Sequence, residues 1–345
     1  MPRCRDAGHI LRLFAMATFA LTGLVQAAGA QTLEFVRERG FLVCGVSEGV
    51  PGFSITDASG KWSGYDVDFC RAVAAAVIGD AAKVKFRPLT AGEAETALRM
   101  GEVDILARSV AWHISLETEA ALRFVGVTFF DGKALIVRRD LGIISALELS
   151  GTKICVLAGA QTETSVSDYF TANKMPFELV TFERAGDARD AYEAKSCDAY
   201  VTDMSHINSE RLQLAAPDDH VVLPEVLSKE PLGPVVRQGD DQWLTIVQWT
   251  LFTLINAEEL GITTENIDSL VFSQSPMVRR LTELDTRFST ALGLDPKWTY
   301  TVIKAVGNFG EIFDRNLGVK STLGLTRGFN ALWRNGGLIY APELR

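Results

Sequence analysis

The chain has 345 residues, of which 47% are hydrophobic and 22% are charged, and its formal net charge is −9. This composition is that of a globular protein and argues against a disordered, collagen-like or coiled-coil chain. The acidic balance argues against nucleic acid as a partner and against adsorption to an anionic membrane, because both depend on Lys and Arg. The length suggests about two domains of roughly 150 residues each.

The first thirty residues have the order of a secretory signal peptide. Three arginines mark the start, an uncharged stretch follows over residues 13–25, and small residues close the segment at 28–30. As a helix the uncharged stretch would rise only about 20 Å, which is too short for a hydrocarbon layer of roughly 30 Å. We therefore expect cleavage after Ala30 and export to the periplasm rather than a membrane anchor.

Cysteine usage agrees with an exported protein. Cys4 belongs to the signal segment, and four cysteines remain. An even number in an exported chain favours disulfides, although four cysteines allow three pairings. Two lie early and two lie in the middle third, which favours Cys44 with Cys70 and Cys155 with Cys197. Buried free thiols and a metal site remain alternatives, but the sequence has no CxxC motif and its histidines are scattered.

The predicted elements form two similar α/β units. The first runs strand, helix, strand, helix, strand over residues 41–46, 66–78, 84–86, 90–100 and 103–107. The second repeats this order over residues 153–157, 161–173, 179–182, 187–195 and 199–202. Alternating strands and helices predict mostly parallel sheets with ligand sites beyond the carboxyl ends of the strands. Two such units facing each other would form a cleft.

The last third has a different pattern. Helices are predicted over residues 242–257, 271–288 and 297–308, and no strand is predicted over the turn-rich residues 318–345. The first of these helices is a long uncharged run, but polar residues interrupt it, so we expect a buried helix of the folded domain.

Several strings carry a resemblance to a known family. They are FLVCGVS (41–47), GYDVD (64–68), FVGVT (124–128), KEPLGP (229–234), QGDDQW (238–243), EELGI (258–262) and GNFGEIF (307–313). In this order, and nearly without gaps over residues 32–345, they are similar to the periplasmic general L-amino-acid-binding proteins of ABC transporters. The family's paired cysteines stand where the four remaining cysteines stand here.

The resemblance implies the fold and the division of the chain. The fold class is α/β, a type II periplasmic binding protein or "Venus flytrap" of two lobes, with mixed, mostly parallel sheets and a helical C-terminal extension. Lobe 1 would comprise residues 31–138 and 228–345, and lobe 2 residues 139–227. The two crossing segments would lie near residues 131–138 and 222–235.

The resemblance also implies a function. The protein would capture amino acids, or a related small amine-bearing anion, in the interlobe cleft as a monomer, and deliver them to a membrane ABC permease and its ATPase. It would need no cofactor and catalyse no reaction. Two alternatives stay open: a sensory, accessory or diverged relative with weakened amino-acid binding, and a dehydratase-type enzyme on the same scaffold. The enzyme would need a positioned acid, for which Glu163 and His113 are the nearby candidates.

The expected pocket keeps one side of the family's pattern and departs from the other. In the family, an Asp five residues after the Asp that starts a lobe 2 strand binds the ammonium, and Asp203 stands in that position. The family's carboxylate-binding Thr and Arg correspond to Ala111 and Leu116, which cannot form such a contact. A Gly-Thr-Thr turn of the family corresponds to residues 159–161, where Gln161 replaces a hydroxyl.

Arg108 is the candidate that could compensate for the missing carboxylate contacts. It lies four residues after Asp104, at a position that points into the cleft in this fold family, although a structural ion pair is an equal alternative. An arginine could bind the ligand's anionic group from a different direction. The remaining ligand-binding candidates are Phe53, Tyr65, Ser109, Trp112, Gln161 and Thr162.

Overall fold

The computed structural model describes residues 32–47, 49–158, 160–282 and 286–345. The predicted signal peptide and its cleavage site at Ala30 lie outside these ranges. Within them, no helix combines the length and the apolar character that crossing a membrane requires.

The described chain contains two main sheets and the helices that cover them. The strands are β1 (Leu42–Val46), β2 (Ile55–Thr56), β3 (Trp62–Ser63), β4 (Val84–Pro88), β5 (Ile105–Ala111), β6 (Leu122–Phe124), β7 (Phe129–Asp131), β8 (Lys133–Arg138), β9 (Thr152–Leu157), β10 (Phe177–Phe182), β11 (Ala199–Asp203), β12 (His220–Val222) and β13 (Glu230–Arg237). The helices are α1 (Thr32–Arg39), α2 (Tyr65–Ile78), α3 (Ala91–Arg99), α4 (Ile114–Thr118), α5 (Ala160–Ala172), α6 (Ala185–Glu193), α7 (Met204–Leu212), α8 (Asp241–Glu259), α9 (Ile267–Leu270), α10 (Pro276–Thr282), α11 (Thr286–Leu292), α12 (Trp298–Val306) and α13 (Phe309–Asn316).

The first sheet has the strand order β4-β1-β5-β13-β6, and β7 also pairs with β13. β1 runs parallel to β4 and β5, whereas β13 runs antiparallel to its neighbours. The Ala- and Val-rich helix α2 is buried along most of its length and ends at Gly79, whose left-handed φ of 85° suits a residue without a Cβ. The disulfide between Cys44 and Cys70 joins β1 to α2.

The second sheet has the order β10-β9-β11-β8-β12. β9, β10 and β11 are parallel, and β8 is antiparallel to β11 and β12. The disulfide between Cys155 and Cys197 joins β9 to the turn before β11. Both disulfide pairings expected from the sequence are therefore present, one beside each sheet, and the mixed sheets confirm the expected fold class.

The chain passes from the first sheet to the second at Gly132. β7 ends at Asp131 in the first sheet, and β8 begins at Lys133 in the second. A Cβ at Gly132 would collide with the carbonyl oxygen of Ser228 on the returning segment, so the two crossings pass too closely for a larger residue. The expected lobe boundary after residue 138 is wrong, because it assigns β8 to lobe 1, whereas β8 belongs to the second sheet. Its buried apolar run suits either sheet, and only its hydrogen-bond partners decide where it belongs.

The predicted helix over residues 271–288 is also wrong as one element. α9 ends at Leu270, α10 begins at Pro276, and between them Phe272 is 82% exposed. The residue before a proline is sterically biased away from the helical region, which ends the helical pattern there. Downstream, the C-terminal extension returns to the first sheet, where the Asn330 side chain accepts from the Phe130 amide and donates to its carbonyl oxygen.

Candidate functional site

A cavity of about 380 Å³ lies between the two sheets. β5, α3 and α4 form one wall, and the start of β8, the end of β11 and the start of α7 face them. Its wall is partly apolar, and charged groups enter it from both sides. The titratable groups that line it include Arg108, Asp131, Lys133, Asp203, His206 and Glu230.

A β-bulge presents Arg108 to the cavity. In the pairing of β5 with β13, Leu106 stands opposite Val235 and Val110 stands opposite Gly233. Three residues of β5 therefore face one residue of β13, and Ser109 within this bulge has a φ of 55°. Such an insertion bends a strand and redirects its side chains. The Arg108 Nε atom is buried and has no hydrogen-bond partner within the described residues.

The acid Asp66 interacts electrostatically with Arg108. This carboxylate stands in the first turn of α2 and accepts a hydrogen bond of 2.9 Å from the Ser109 hydroxyl. Burial raises the pKa of Asp66 to about 7, against the opposing effects of Ser109 and Arg108. Burial also lowers the pKa of Arg108, and the charge of Asp66 opposes that shift. The Arg108 guanidinium thus lies near the acid Asp66, and its buried Nε has no acceptor among the described residues.

Asp203 faces the cavity from the second sheet, at the end of β11. One carboxylate oxygen contacts the Lys133 ammonium, and the other lies 3.6 Å from the His206 Nδ1 atom. Burial alone would raise the pKa of Asp203, but His206 and Lys133 outweigh it and lower the pKa to about 2. The carboxylate is therefore ionised at neutral pH.

Asp131 is a buried acid of the cavity. It accepts hydrogen bonds from the Ser205 amide at 3.1 Å, the Ser205 hydroxyl, and the Gly132 amide at 2.9 Å. Burial and then the charge of Asp203 raise the pKa of Asp131 to about 6 despite these bonds. For His206, burial acts to lower the pKa, but Asp203 and Asp131 raise it overall. This side of the cavity is therefore rich in negative charge.

The structure brings together some of the candidate residues. Phe53, Arg108, Ser109 and Asp203 all line the cavity, and so does His113. The two positions that depart from the family, Ala111 and Leu116, line it too, so the departure falls on the site itself.

Other candidates lie elsewhere. Tyr65 is buried in the core of the first sheet, where its hydroxyl donates to the Thr128 carbonyl oxygen at 2.7 Å. Trp112 is 48% exposed and stacks on Phe124 with ring centroids 4.6 Å apart. Thr162 and Gln161 belong to the first turn of α5, which does not line the cavity within the described residues, and the Gln161 side chain is not among those described.

Five polar residues of the cavity wall were not predicted from the sequence as part of the site. They are Asp131, Lys133, Ser205, His206 and Glu230. A usable signal exists in the string FFDGK at 129–133, because an acid, a glycine and a base interrupt an otherwise apolar crossing segment. Polar residues at such a position are costly unless they are paired or serve a ligand.

The sequence and the fold of this chain are similar to those of known proteins. The model of the family "Bacterial extracellular solute-binding proteins, family 3" matches residues 42–265. The chain is 51% identical to the general L-amino acid-binding periplasmic protein AapJ of Rhizobium johnstonii over 321 residues, covering 92% of this chain and 94% of that protein. It is 46% identical to the glutamate/glutamine/aspartate/asparagine-binding protein BztA of Rhodobacter capsulatus over 328 residues, covering 94% and 97%.

A solved structure is similar over its entire length. It is an ABC transporter periplasmic binding protein from Brucella ovis with glutathione bound. The TM-score is 0.84 at 50% identity, and the match covers 92% of this chain and 100% of the Brucella ovis chain. The family resemblance seen in the sequence strings is thereby confirmed.

Proposed function

Because the chain belongs to family 3 of the bacterial extracellular solute-binding proteins, we propose that it captures amino acids between its lobes and delivers them to an ABC permease. One observation carries this proposal: Arg108 enters the cavity from the first sheet, and Asp203 enters it from the second. A free amino acid has a carboxylate and an ammonium, which these two groups complement. The names of AapJ and BztA give amino acids as their ligands, and that supports the same class here.

In this proposal, Arg108 binds the ligand's carboxylate. Its buried Nε, which has no partner among the described residues, would gain an acceptor, and a buried donor without a partner costs about 1 to 3 kcal/mol. Arg108 would then replace the contacts that Ala111 and Leu116 cannot make. Asp203, held in its ionised form, would receive the ligand's ammonium.

The cavity size fits a small solute. At about 380 Å³ it falls within the usual range for small-molecule sites, roughly 300 to 1,000 Å³. The similar Brucella ovis protein has glutathione bound. Glutathione also has amine and carboxylate groups, so a larger amine-bearing anion belongs in the same test.

Capture would proceed by closure of the two lobes. A ligand that contacts Arg108 and Asp203 together stabilises the closed form selectively, because only that form presents both groups to it. Export with cleavage after Ala30, a monomeric state, and docking on a permease with its ATPase complete the proposal. We propose no catalytic role, since the matched relatives are binding proteins.

A ligand panel tests the proposal. Purified mature protein is heated with each of the twenty amino acids, with glutathione, and with sugars of similar size. At 100 times its dissociation constant, a true ligand stabilises the fold by about 2.7 kcal/mol, which appears as a raised melting temperature. Asp203→Asn should abolish most of that shift. A panel in which no amino acid or glutathione raises the melting temperature, while a sugar does, would contradict the proposal.

A further inference from the structure

The position expected for the ligand's ammonium is filled by the protein itself. The Lys133 ammonium contacts Asp203, whose other carboxylate oxygen already faces His206. Only 9% of the Lys133 side chain is exposed, so its ammonium is held inside the cavity wall rather than in solvent. An amine-bearing ligand therefore meets an aspartate that has a cation beside it.

Lys133 has a second partner within reach. Its Nζ atom lies 3.5 Å from the Glu230 Oε2 atom, and the Glu230 side chain is only 7% exposed. The other oxygen of Glu230 accepts a hydrogen bond of 2.8 Å from the Ser228 hydroxyl, so this carboxylate stays in place. A small rotation of the lysine side chain would move its ammonium from Asp203 toward Glu230 without leaving it unpaired.

The negative charge around Lys133 is large enough to bind a second cation. Asp131, Asp203 and Glu230 supply three carboxyl groups around Lys133, against that lysine and the titratable His206, while Arg108 enters the cavity from β5. Burial is the larger cause of the raised pKa of Asp131, and the charge of Asp203 adds to it, so the two carboxylates repel each other. A second ammonium would reduce that repulsion.

We propose that Lys133 is an internal competitor for Asp203, displaced toward Glu230 when an amine-bearing ligand binds, and that this exchange sets the preference for amines. The inference rests on the proposed function, because it assigns the ligand's ammonium to Asp203. Such competition multiplies the intrinsic affinity by the fraction of molecules in which the position beside Asp203 is free. Removing the competitor should therefore strengthen binding of amine-bearing ligands, whereas removing an ordinary contact would weaken it.

The first test does not require a known ligand. In Lys133→Ala, the vacated position should bind a small ammonium ion, so ethylammonium chloride should raise the melting temperature above that in equimolar potassium chloride. The wild type should show no such difference. Lys133→Met, which keeps most of the hydrocarbon stem, covers the case in which the alanine variant does not fold. Lys153→Ala is the matched control, because Lys153 forms an exposed ion pair with Glu178 at 3.1 Å.

The second test measures the exchange itself by calorimetric titration with L-glutamate and with glutarate, which lacks the amine. Lys133→Ala should bind glutamate about tenfold more tightly than the wild type does, if the position is free in about a tenth of wild-type molecules. Glutarate should bind no more tightly to Lys133→Ala than to the wild type. Glu230→Gln should weaken glutamate binding more in the wild-type background than in Lys133→Ala, because the displaced lysine needs Glu230.

The outcomes separate this inference from the proposed function. Weaker glutamate binding in Lys133→Ala, or an equal effect of Glu230→Gln in both backgrounds, would overturn the competition while leaving amino-acid capture intact. If the wild type binds no amino acid but ethylammonium selectively stabilises Lys133→Ala, then Lys133 does occupy an ammonium position beside Asp203, and the proposed function is wrong. An absent ethylammonium effect in both Lys133 variants would overturn the inference.

Discussion

Replacing Arg108 by methionine tests the anion contact of the cavity. Methionine keeps most of the hydrocarbon stem that packs against the wall and removes the guanidinium. A hydrogen bond to a charged group contributes about 1.5 to 3 kcal/mol. The dissociation constant for an amino acid should therefore rise about tenfold to a hundredfold. Isothermal titration with the ligand that gives the largest thermal shift measures this change directly.

A control variant must show that the loss of affinity comes from Arg108 and not from the removal of any arginine of this sheet. Arg123→Met removes an exposed arginine of the same sheet, whose partner Glu117 lies 3.7 Å away, so its effect on binding should be negligible. In Arg108→Met, Asp66 loses the charge that lowers its pKa, so it takes up a proton instead of remaining a buried unpaired anion. An affinity equal to that of the wild type or of Arg123→Met would refute the role assigned to Arg108.

Three further predictions concern stability. Because burial raises the pKa of Asp66 to about 7, the folded protein keeps a proton that the unfolded chain releases near pH 4. Between those pH values the wild type should lose about 1.4 kcal/mol per pH unit relative to Asp66→Asn in urea unfolding, and parallel curves would contradict this. Replacing Cys44 and Cys70 by alanine should lower the unfolding free energy by about 3.5 kcal/mol, since the disulfide spans 26 residues; an unchanged urea midpoint would argue against it. Asn330→Ala should cost about 1 to 3 kcal/mol and speed hydrogen exchange at the Phe130 amide, whose 2.6 Å bond it removes, and unaltered exchange would contradict that account.

The elements that the sequence predicts well are those with local signals. Thr90 and Glu93 have capping-box spacing, and in the structure the Glu93 carboxylate accepts hydrogen bonds from the Thr90 amide at 3.1 Å and the Thr90 hydroxyl at 2.8 Å at the start of α3. Gly79 follows an apolar helical pattern and is the left-handed C-cap of α2. Such signals act over a few residues, so reading along the chain is enough to find them.

The features that the sequence analysis missed depend on distant partners. β8 could lie in either sheet until its pairing with β11 is known, and that pairing joins residues about seventy positions apart, such as Lys133 and Asp203. The bulge that presents Arg108 likewise depends on the register between β5 and β13. Asp203 could be named because the family pattern places it. The lysine beside it could not, because no local pattern relates the two.

Amino-acid capture between the sheets is tested best by a crystal structure of the protein grown with the amino acid that raises its melting temperature most. The ligand should lie between the sheets, with its carboxylate on Arg108, its ammonium on Asp203, and the Lys133 side chain turned to Glu230. A ligand bound outside this cavity, or one inside it that leaves Lys133 on Asp203 and places its own ammonium elsewhere, would show that the proposed binding mode is wrong.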